Sequence, residues 1–114
     1  MLTRVDEEVI PILRVEDADV AVRWYELLGF TAQWKHRFEA RLPAFVEVAR
    51  GRIRVFLSEH EDDAFPAALV YLRVHDVDAI AAEFGMCPEE APWAREIELR
   101  DPDGNRLRIG TPVG

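Results

Sequence analysis

Apolar and polar residues alternate in several short stretches of the chain, and two of these stretches resemble each other. The first reads ILRV from Ile12 and the second YLRV from Tyr71. In each, an aspartate follows within two residues, Asp17 and Asp76, where its side chain can accept hydrogen bonds from the first turn of a helix. A strand followed by a helix therefore occurs twice, which predicts a duplicated module.

Each predicted helix is amphipathic and ends at a glycine. Gly29 and Gly85 are the predicted ends, because glycine readily adopts the left-handed conformation that commonly closes a helix. Apolar residues at helical spacing predict the sides that face the core. These are Val20, Trp24, Leu27 and Leu28 in the first helix, and Val77, Ile80, Ala81 and Phe84 in the second.

Strand patterns follow both helices. After the first come FTAQWKH and then a hairpin, AFVEVAR and IRVFLSE; after the second come a weak segment, MCPEEAP, and a hairpin around DPDG. The sequence thus predicts an α+β fold of two βαβββ modules, the second shortened. We expect one domain over residues 1–114, with modules at about 5–60 and 66–112. A doubly wound parallel sheet fits less well, because only two helices are available.

The charge balance restricts the classes of partner. The chain carries 22 acidic residues against 14 lysines and arginines, a formal charge of −8. Such a field repels nucleic acids and anionic membranes, so neither is an expected partner. The single cysteine excludes an internal disulfide bond. Neither a membrane-spanning apolar stretch nor a signal peptide is recognised, and we expect a cytoplasmic protein.

Three stretches carry a resemblance to a known family: LRVEDADVAVRWYELLGF, YLRVHDVDAI and RDPDGNRLRI. With them the chain resembles the vicinal oxygen chelate superfamily, which includes glyoxalases, extradiol dioxygenases and antibiotic resistance proteins. The segment PWAREIELRDPDGN is most similar to the bleomycin resistance proteins. The resemblance implies that the two modules form a cupped mixed sheet and that the protein is a homodimer.

Enzymes of this superfamily hold a divalent metal in the cup through His, Gln or Glu. The corresponding positions here fall at Ile10 or Pro11, near Leu69, at Arg108, and near Leu57 or Glu59. Glu59 alone among them can coordinate a divalent cation. We therefore expect no metal, no cofactor and no catalytic residues.

Eight side chains are the candidates for ligand contact. Aromatic residues of bleomycin resistance proteins line a groove at the dimer interface, and such rings stack on flat ligands. Glutamates would offset ligand charge, while two arginines on the last strand either contact ligand or pair with acids across the sheet. The candidates are Trp93, Trp34, Phe38, Tyr71, Glu47, Glu59, Arg106 and Arg108. Core or dimer packing is the alternative role of the tryptophans.

The predicted function is metal-independent sequestration of a cationic, partly aromatic antibiotic of the bleomycin type, in grooves between two subunits. One alternative is a metalloenzyme of the superfamily, a lyase, isomerase or dioxygenase, with a non-standard site built from Glu59 and His36 or His60. The other is a small-molecule-binding module without a resistance role. The two arginines fit a cationic ligand poorly.

Overall fold

A computed structural model describes residues 6–37 and 39–113, and it contains two helices and eight strands in the predicted α+β order. Among these residues no helix is both long and apolar enough to cross a membrane. The first module has the elements β1 (Ile12–Arg14), α1 (Ala18–Leu27), β2 (Thr31–His36), β3 (Phe45–Arg50) and β4 (Ile53–Ser58). The second has β5 (Leu69–Arg73), α2 (Val77–Glu83), β6 (Glu89–Glu90), β7 (Ala94–Arg100) and β8 (Arg106–Pro112).

The strands form two four-stranded sheets, one per module, with the equivalent orders β1-β4-β3-β2 and β5-β8-β7-β6. The β1–β4 and β5–β8 pairs are parallel and the remaining pairs are antiparallel. The predicted fold class is confirmed, and β6, with two residues, is the shortened strand. Within one chain the strands form two separate mixed sheets.

The local signals at the helix ends behave as predicted. The Asp17 carboxylate accepts hydrogen bonds from the amides of Asp19 and Val20, and the Asp76 carboxylate accepts one from Ala79. Gly29 and Gly85 have φ angles of +84° and +65°, in the region that side chains disfavour.

The predicted apolar side of α1 was wrong in part. The helix buries Ala18, Ala21 and Tyr25, and Leu28 is buried just beyond its end, whereas Val20 and Leu27 are 41% and 60% exposed. The buried positions follow the helical spacing i, i+3, i+7, i+10. The first two are alanines, whose small side chains allow the helix to lie close to the sheet. In α2, Val77, Ile80 and Ala81 are buried as predicted.

The two modules share one buried apolar cluster, and a polar network joins them at its edge. Tyr25 of α1 donates its hydroxyl hydrogen to the Asp101 carboxylate at 2.8 Å, and all its surface is buried. The Asn105 amide donates to the Arg14 carbonyl and to Asp101, both at 2.9 Å, while its oxygen accepts from the Ala68 amide at 3.1 Å. We call Tyr25, Asp101 and Asn105 the junction network.

The DPDG turn itself holds the network in place. The other carboxylate oxygen of Asp101, Oδ1, is held within the turn, because it accepts hydrogen bonds from the amides of Asp103 and Asn105, both at 2.9 Å. The Asp103 carboxylate in turn accepts from the Glu16 amide of the first module at 2.9 Å. That the chain forms a single domain over residues 1–114 stays a prediction, and these contacts between the modules support it.

Replacing Asn105 should destabilise the protein strongly. Asn105→Ala leaves the Arg14 carbonyl and the Ala68 amide without this partner in a fully buried position, and each unsatisfied buried group costs about 1–3 kcal/mol. We expect the free energy of unfolding to fall by about 3 kcal/mol in urea denaturation. Asp62→Ala, on an exposed loop, is the control. A loss within 0.5 kcal/mol of the control would contradict the role given to the network.

The junction network should also make stability sensitive to alkaline pH. Burial, and then the neighbouring Asp101 charge, raise the pKa of Tyr25 far above its usual value of 10. In the unfolded chain this tyrosine ionises near pH 10, so the stability it contributes is complete below pH 10 and is lost above it. Between pH 10 and 11 the free energy of unfolding should fall by about 1 kcal/mol more in the wild type than in Tyr25→Phe. Parallel pH profiles of the two proteins would refute this.

Candidate functional site

Each sheet packs one side on helices, and the residues that the structure describes leave its other side open. In the first module, Val46, Val48, Val55 and Leu57 point into the core, so the alternate residues of the same strands lie on the open side. Trp34 of β2, Phe45 of β3 and Phe56 of β4 meet there. We call these three residues the aromatic face.

The rings of the aromatic face contact one another. Trp34 stacks on Phe45 with centroids 5.9 Å apart and an interplanar angle of 17°. Phe56 lies 5.7 Å from Trp34 and 5.0 Å from Phe45, in tilted orientations. Trp34 remains 44% exposed, although a ring of this size on a sheet is usually covered. The face is therefore preformed for stacking against a further flat group.

The predicted acid Glu47 lies within the same face, opposite Trp34 and Phe56 in the strand register. It is buried, and its carboxylate forms an ion pair with Arg54 at 3.0 Å. Arg54 also reaches Glu8 at 3.5 Å. A ligand cation that approached Glu47 would compete with Arg54.

The open side of the second sheet is polar. Glu96 of β7 accepts hydrogen bonds from the Tyr71 hydroxyl and from the Trp93 indole nitrogen, both at 2.7 Å. Two predicted site residues are thus brought together by a glutamate that the sequence analysis missed. The alternation of β7 could have found it, because Ile97 and Leu99 face the core and place Glu96 and Glu98 on the open side.

Gly110 makes room for this cluster. It lies opposite Glu96 of β7 and Arg73 of β5 in the strand register, and a Cβ atom at this position would overlap the Tyr71 hydroxyl. Glycine is therefore required here by the close approach of a side chain rather than by its backbone angle.

Arg106 and Arg108 pair with acid across the sheet, the alternative that the sequence left open. Arg106 holds Glu98 through two hydrogen bonds, at 2.9 and 3.0 Å, and Arg108 reaches the same carboxylate at 3.3 Å. Arg106 first, and then Arg108, keep the pKa of Glu98 below its usual value. Both arginines nevertheless stay more than a third exposed. We call the group of Tyr71, Trp93, Glu96, Glu98, Arg106 and Arg108 the polar face.

The duplication relates the two faces residue by residue. Glu47 and Glu98 occupy equivalent strand positions, and each pairs with an arginine, Arg54 or Arg106. The modules differ at the position paired with that glutamate, which is Phe56 in the first module and Arg108 in the second. Substitution at equivalent positions has made one face aromatic and the other charged.

Glu59 is placed away from both faces. Its two carboxylate oxygens accept from the amides of Ala18, at 2.7 Å, and Ala44, at 2.9 Å, and Arg37 lies 3.4 Å away. The Glu59 side chain therefore fixes the start of α1 to the end of β4. In the second module the Thr111 hydroxyl accepts a hydrogen bond from the Val77 amide and so fixes the start of α2 to β8. This arrangement gives no support to the alternative of a non-standard metal site that includes Glu59. The candidate Phe38 lies outside the described residues.

The donor set also fits a metal poorly. Among residues 6–37 and 39–113, no group of three or more His, Cys, Asp or Glu side chains is arranged to hold an ion. The polar face does border a cavity of about 380 Å³. The residues that line it are Met86, Cys87, Glu89, Glu96, Ile97, Glu98 and Arg108.

The Tyr71–Glu96 hydrogen bond can be tested by titration, because the chain has only two tyrosines. Burial raises the pKa of Tyr71, and the Glu96 hydrogen bond and charge raise it further, while Tyr25 stays protonated in the folded state. Tyrosinate absorbance between pH 9 and 11.5 should therefore report Tyr71. Glu96→Gln should shift this midpoint to lower pH, and Glu90→Gln, which alters a neighbouring ion pair, should not. Equal midpoints in wild type and Glu96→Gln would rule out the contact.

Several solved structures have the same fold. A bleomycin-binding protein in complex with bleomycin superposes with a TM-score of 0.74 at 20% identity, covering 95% of this chain and 100% of the other. An antibiotic-binding protein from Streptomyces sp. gives 0.76 at 23% identity, covering 97% and 100%. The bleomycin-binding protein from bleomycin-producing Streptomyces verticillus, in complex with copper(II)-bleomycin, gives 0.68 at 25% identity, covering 99% and 100%.

Comparison of the sequence with curated proteins gives no match. A family model described as glyoxalase superfamily protein, in contrast, matches residues 3–113, which is nearly the whole chain. Together with the two equivalent sheets and the shared fold, this match confirms the resemblance drawn from the repeated motifs. The chain belongs to the glyoxalase superfamily.

Proposed function

We propose that this protein binds and sequesters a small molecule that has a flat aromatic part and several hydrogen-bonding groups, with bleomycin-type antibiotics as the first candidates. The observation that carries the proposal is the pair of uncovered sheet faces, one aromatic and one polar. Trp34 and Trp93, one on each, are 44% and 64% exposed. Solved structures of the same fold that bind bleomycin or another antibiotic add to this support.

The ligand groove would lie between two copies of the chain. The modules contact each other on the helix side, through the junction network and the Trp24–Phe84 ring contact, so residues 6–37 and 39–113 do not close the two faces over each other. In a homodimer the aromatic face of one subunit could lie across from the polar face of its partner, which gives two symmetric grooves. A flat ligand would then stack on Trp34 and contact Glu96, Arg106 and Arg108 with its polar edge.

Sequestration needs no catalytic group, and we propose a cytoplasmic binding protein rather than an enzyme. Superfamily chemistry requires donors at the metal positions, but Ile10, Leu69 and Arg108 occupy three of them. Arg108 carries a positive charge where a carboxylate would be needed. A structural role of Glu59 removes the remaining donor from the proposed groove.

The polar face is electrically balanced, since Glu96 and Glu98 offset Arg106 and Arg108. Affinity should therefore come from stacking and hydrogen bonds more than from net charge, and it should change little with ionic strength. The balance would also reduce the repulsion between the two arginines and a cationic ligand, because Glu98 already compensates part of their charge.

Calorimetric titration with metal-free bleomycin tests the proposal. We expect one ligand per chain, an affinity unaffected by chelator, and a dissociation constant about tenfold higher in Trp34→Ala, which corresponds to about 1.4 kcal/mol of lost stacking. Trp24→Phe is the matched control, because Trp24 packs against Tyr25 and Phe84 on the helix side. Absence of heat at millimolar ligand, or an equal loss in both variants, would reject bleomycin as the ligand.

A further inference from the structure

A second concave region lies at the junction of the modules. It shares no lining residue with the aromatic and polar faces, although one of its arginines, Arg73, lies on the same side of β5 as Tyr71. It is an open cleft of about 970 Å³, with walls supplied by the β3–β4 turn of the first module and by the end of β5 in the second. Ile53, which is half-buried against the core, and Val74, which is buried, are part of its lining. Both side chains face the helix side of their sheets, opposite to the faces described above.

The charged lining of this cleft is basic. Arg50 and Arg52 come from the first module, and Arg73 and His75 from the second. None of the described lining residues is acidic, although acidic residues outnumber basic ones in the chain. The electrostatic potential in this cleft is therefore positive, opposite in sign to the net charge of the protein.

The three arginines of this cleft have no carboxylate partner among the described residues, and neither does His75. Arg50 is held from one side, where it donates to the Leu28 carbonyl at the end of α1 at 2.5 Å. Arg52, Arg73 and His75 form no ion pair with a residue that the structure describes, whereas Arg54, Arg95 and Arg106 nearby in sequence or fold each have one. Unpaired like charges around one cleft repel one another, and an anion placed between them relieves this repulsion.

We propose that this cleft binds a small organic anion, a carboxylate or phosphate monoester with an apolar or aromatic body. Guanidinium groups of the two modules would hold the charged head, because their planar donors match carboxylate and phosphate oxygens. The apolar body would cover Ile53 and Val74. A cleft of this volume lies within the range that accommodates small-molecule ligands.

Such an anion would connect the two modules. Arg52 lies in the turn after β3 and Arg73 at the end of β5, so one head group contacting both would bridge the modules at the end of the molecule where the cleft opens. A ligand that binds only the folded state stabilises it by a free energy that grows with the logarithm of one plus its concentration divided by its dissociation constant. Binding of the anion would thus make the stability of the contact between the modules depend on the concentration of the anion.

Titration of the full-length ¹⁵N-labelled protein with phenyl phosphate, followed by amide chemical shifts, tests the proposal. We expect saturable shifts centred on the amides of Gly29, Gly51, Val74 and Thr111, which line the cleft. Inorganic phosphate should bind several-fold more weakly than phenyl phosphate, because it lacks an apolar body. Benzylamine, which has the ring but the opposite charge, should cause no shifts there.

A charge-matched pair of variants separates a site from general electrostatic attraction. Arg52→Ser with Arg73→Ser should raise the dissociation constant for phenyl phosphate at least about tenfold. Arg23→Ser with Arg41→Ser removes the same charge from exposed positions outside the cleft, and it should leave the constant within about twofold.

Three results would overturn the proposal. They are equal weakening in both double variants, shifts centred on β7 and β8 of the polar face instead of the cleft, and no saturable shift at millimolar phenyl phosphate. Because Trp34→Ala leaves the cleft intact, phenyl phosphate binding should persist in that variant even where the proposed antibiotic binding is lost. Failure of one proposal is thereby distinguishable from failure of the other.

Discussion

The architecture depends on a buried polar contact between two modules, each of which has its own four-stranded sheet. Asp101 and Asn105 lie in one turn of the second module, yet their partners include Tyr25 and the Arg14 carbonyl of the first. These groups are almost fully buried, so any relative displacement of the modules would leave donors and acceptors unsatisfied. Apolar packing alone tolerates sliding, whereas these directional bonds select one arrangement. That arrangement leaves both open faces and the basic cleft in fixed positions.

Duplication supplies a single structural plan, and a few substitutions give the two copies different open faces. Glu47 and Glu98 keep the same strand position and the same kind of arginine partner. Phe56 and Arg108 differ at one further equivalent position, and this difference separates a stacking surface from a hydrogen-bonding one. A groove assembled from one face of each kind would contact an amphipathic ligand on both sides. Two identical faces would not provide that complementarity.

Sequence reasoning succeeded where the physical signal is local. Asp17 and Gly29 mark helix ends through their own side chain and backbone preference, and the structure places them there. It failed where the outcome depends on tertiary packing. Val20 and Leu27 are apolar and helically spaced, but the helix turns its smaller residues Ala18 and Ala21 to the sheet.

The candidate site shows the same limit. The DPDG turn was predicted, but its bond to Tyr25 spans 76 positions and no local pattern reveals it. Trp93 and Tyr71 were chosen as aromatic residues, while Glu96, which binds both, was missed because glutamates on an open strand face are usually solvated. Glu59 was chosen for its charge, yet its partners are backbone amides that the sequence does not indicate.

In the proposed homodimer each groove combines the first module of one subunit with the second module of its partner. Mixing Trp34→Ala and Trp93→Ala chains under conditions that exchange subunits, and counting bleomycin sites by calorimetry, tests it most directly. Each variant alone lacks a ring in every groove, but a mixed dimer would contain one intact groove and one doubly altered groove. An equimolar mixture should regain high-affinity binding at about one quarter of the wild-type stoichiometry, the value for random pairing. No recovery on mixing, despite demonstrated subunit exchange, would contradict a groove shared between subunits.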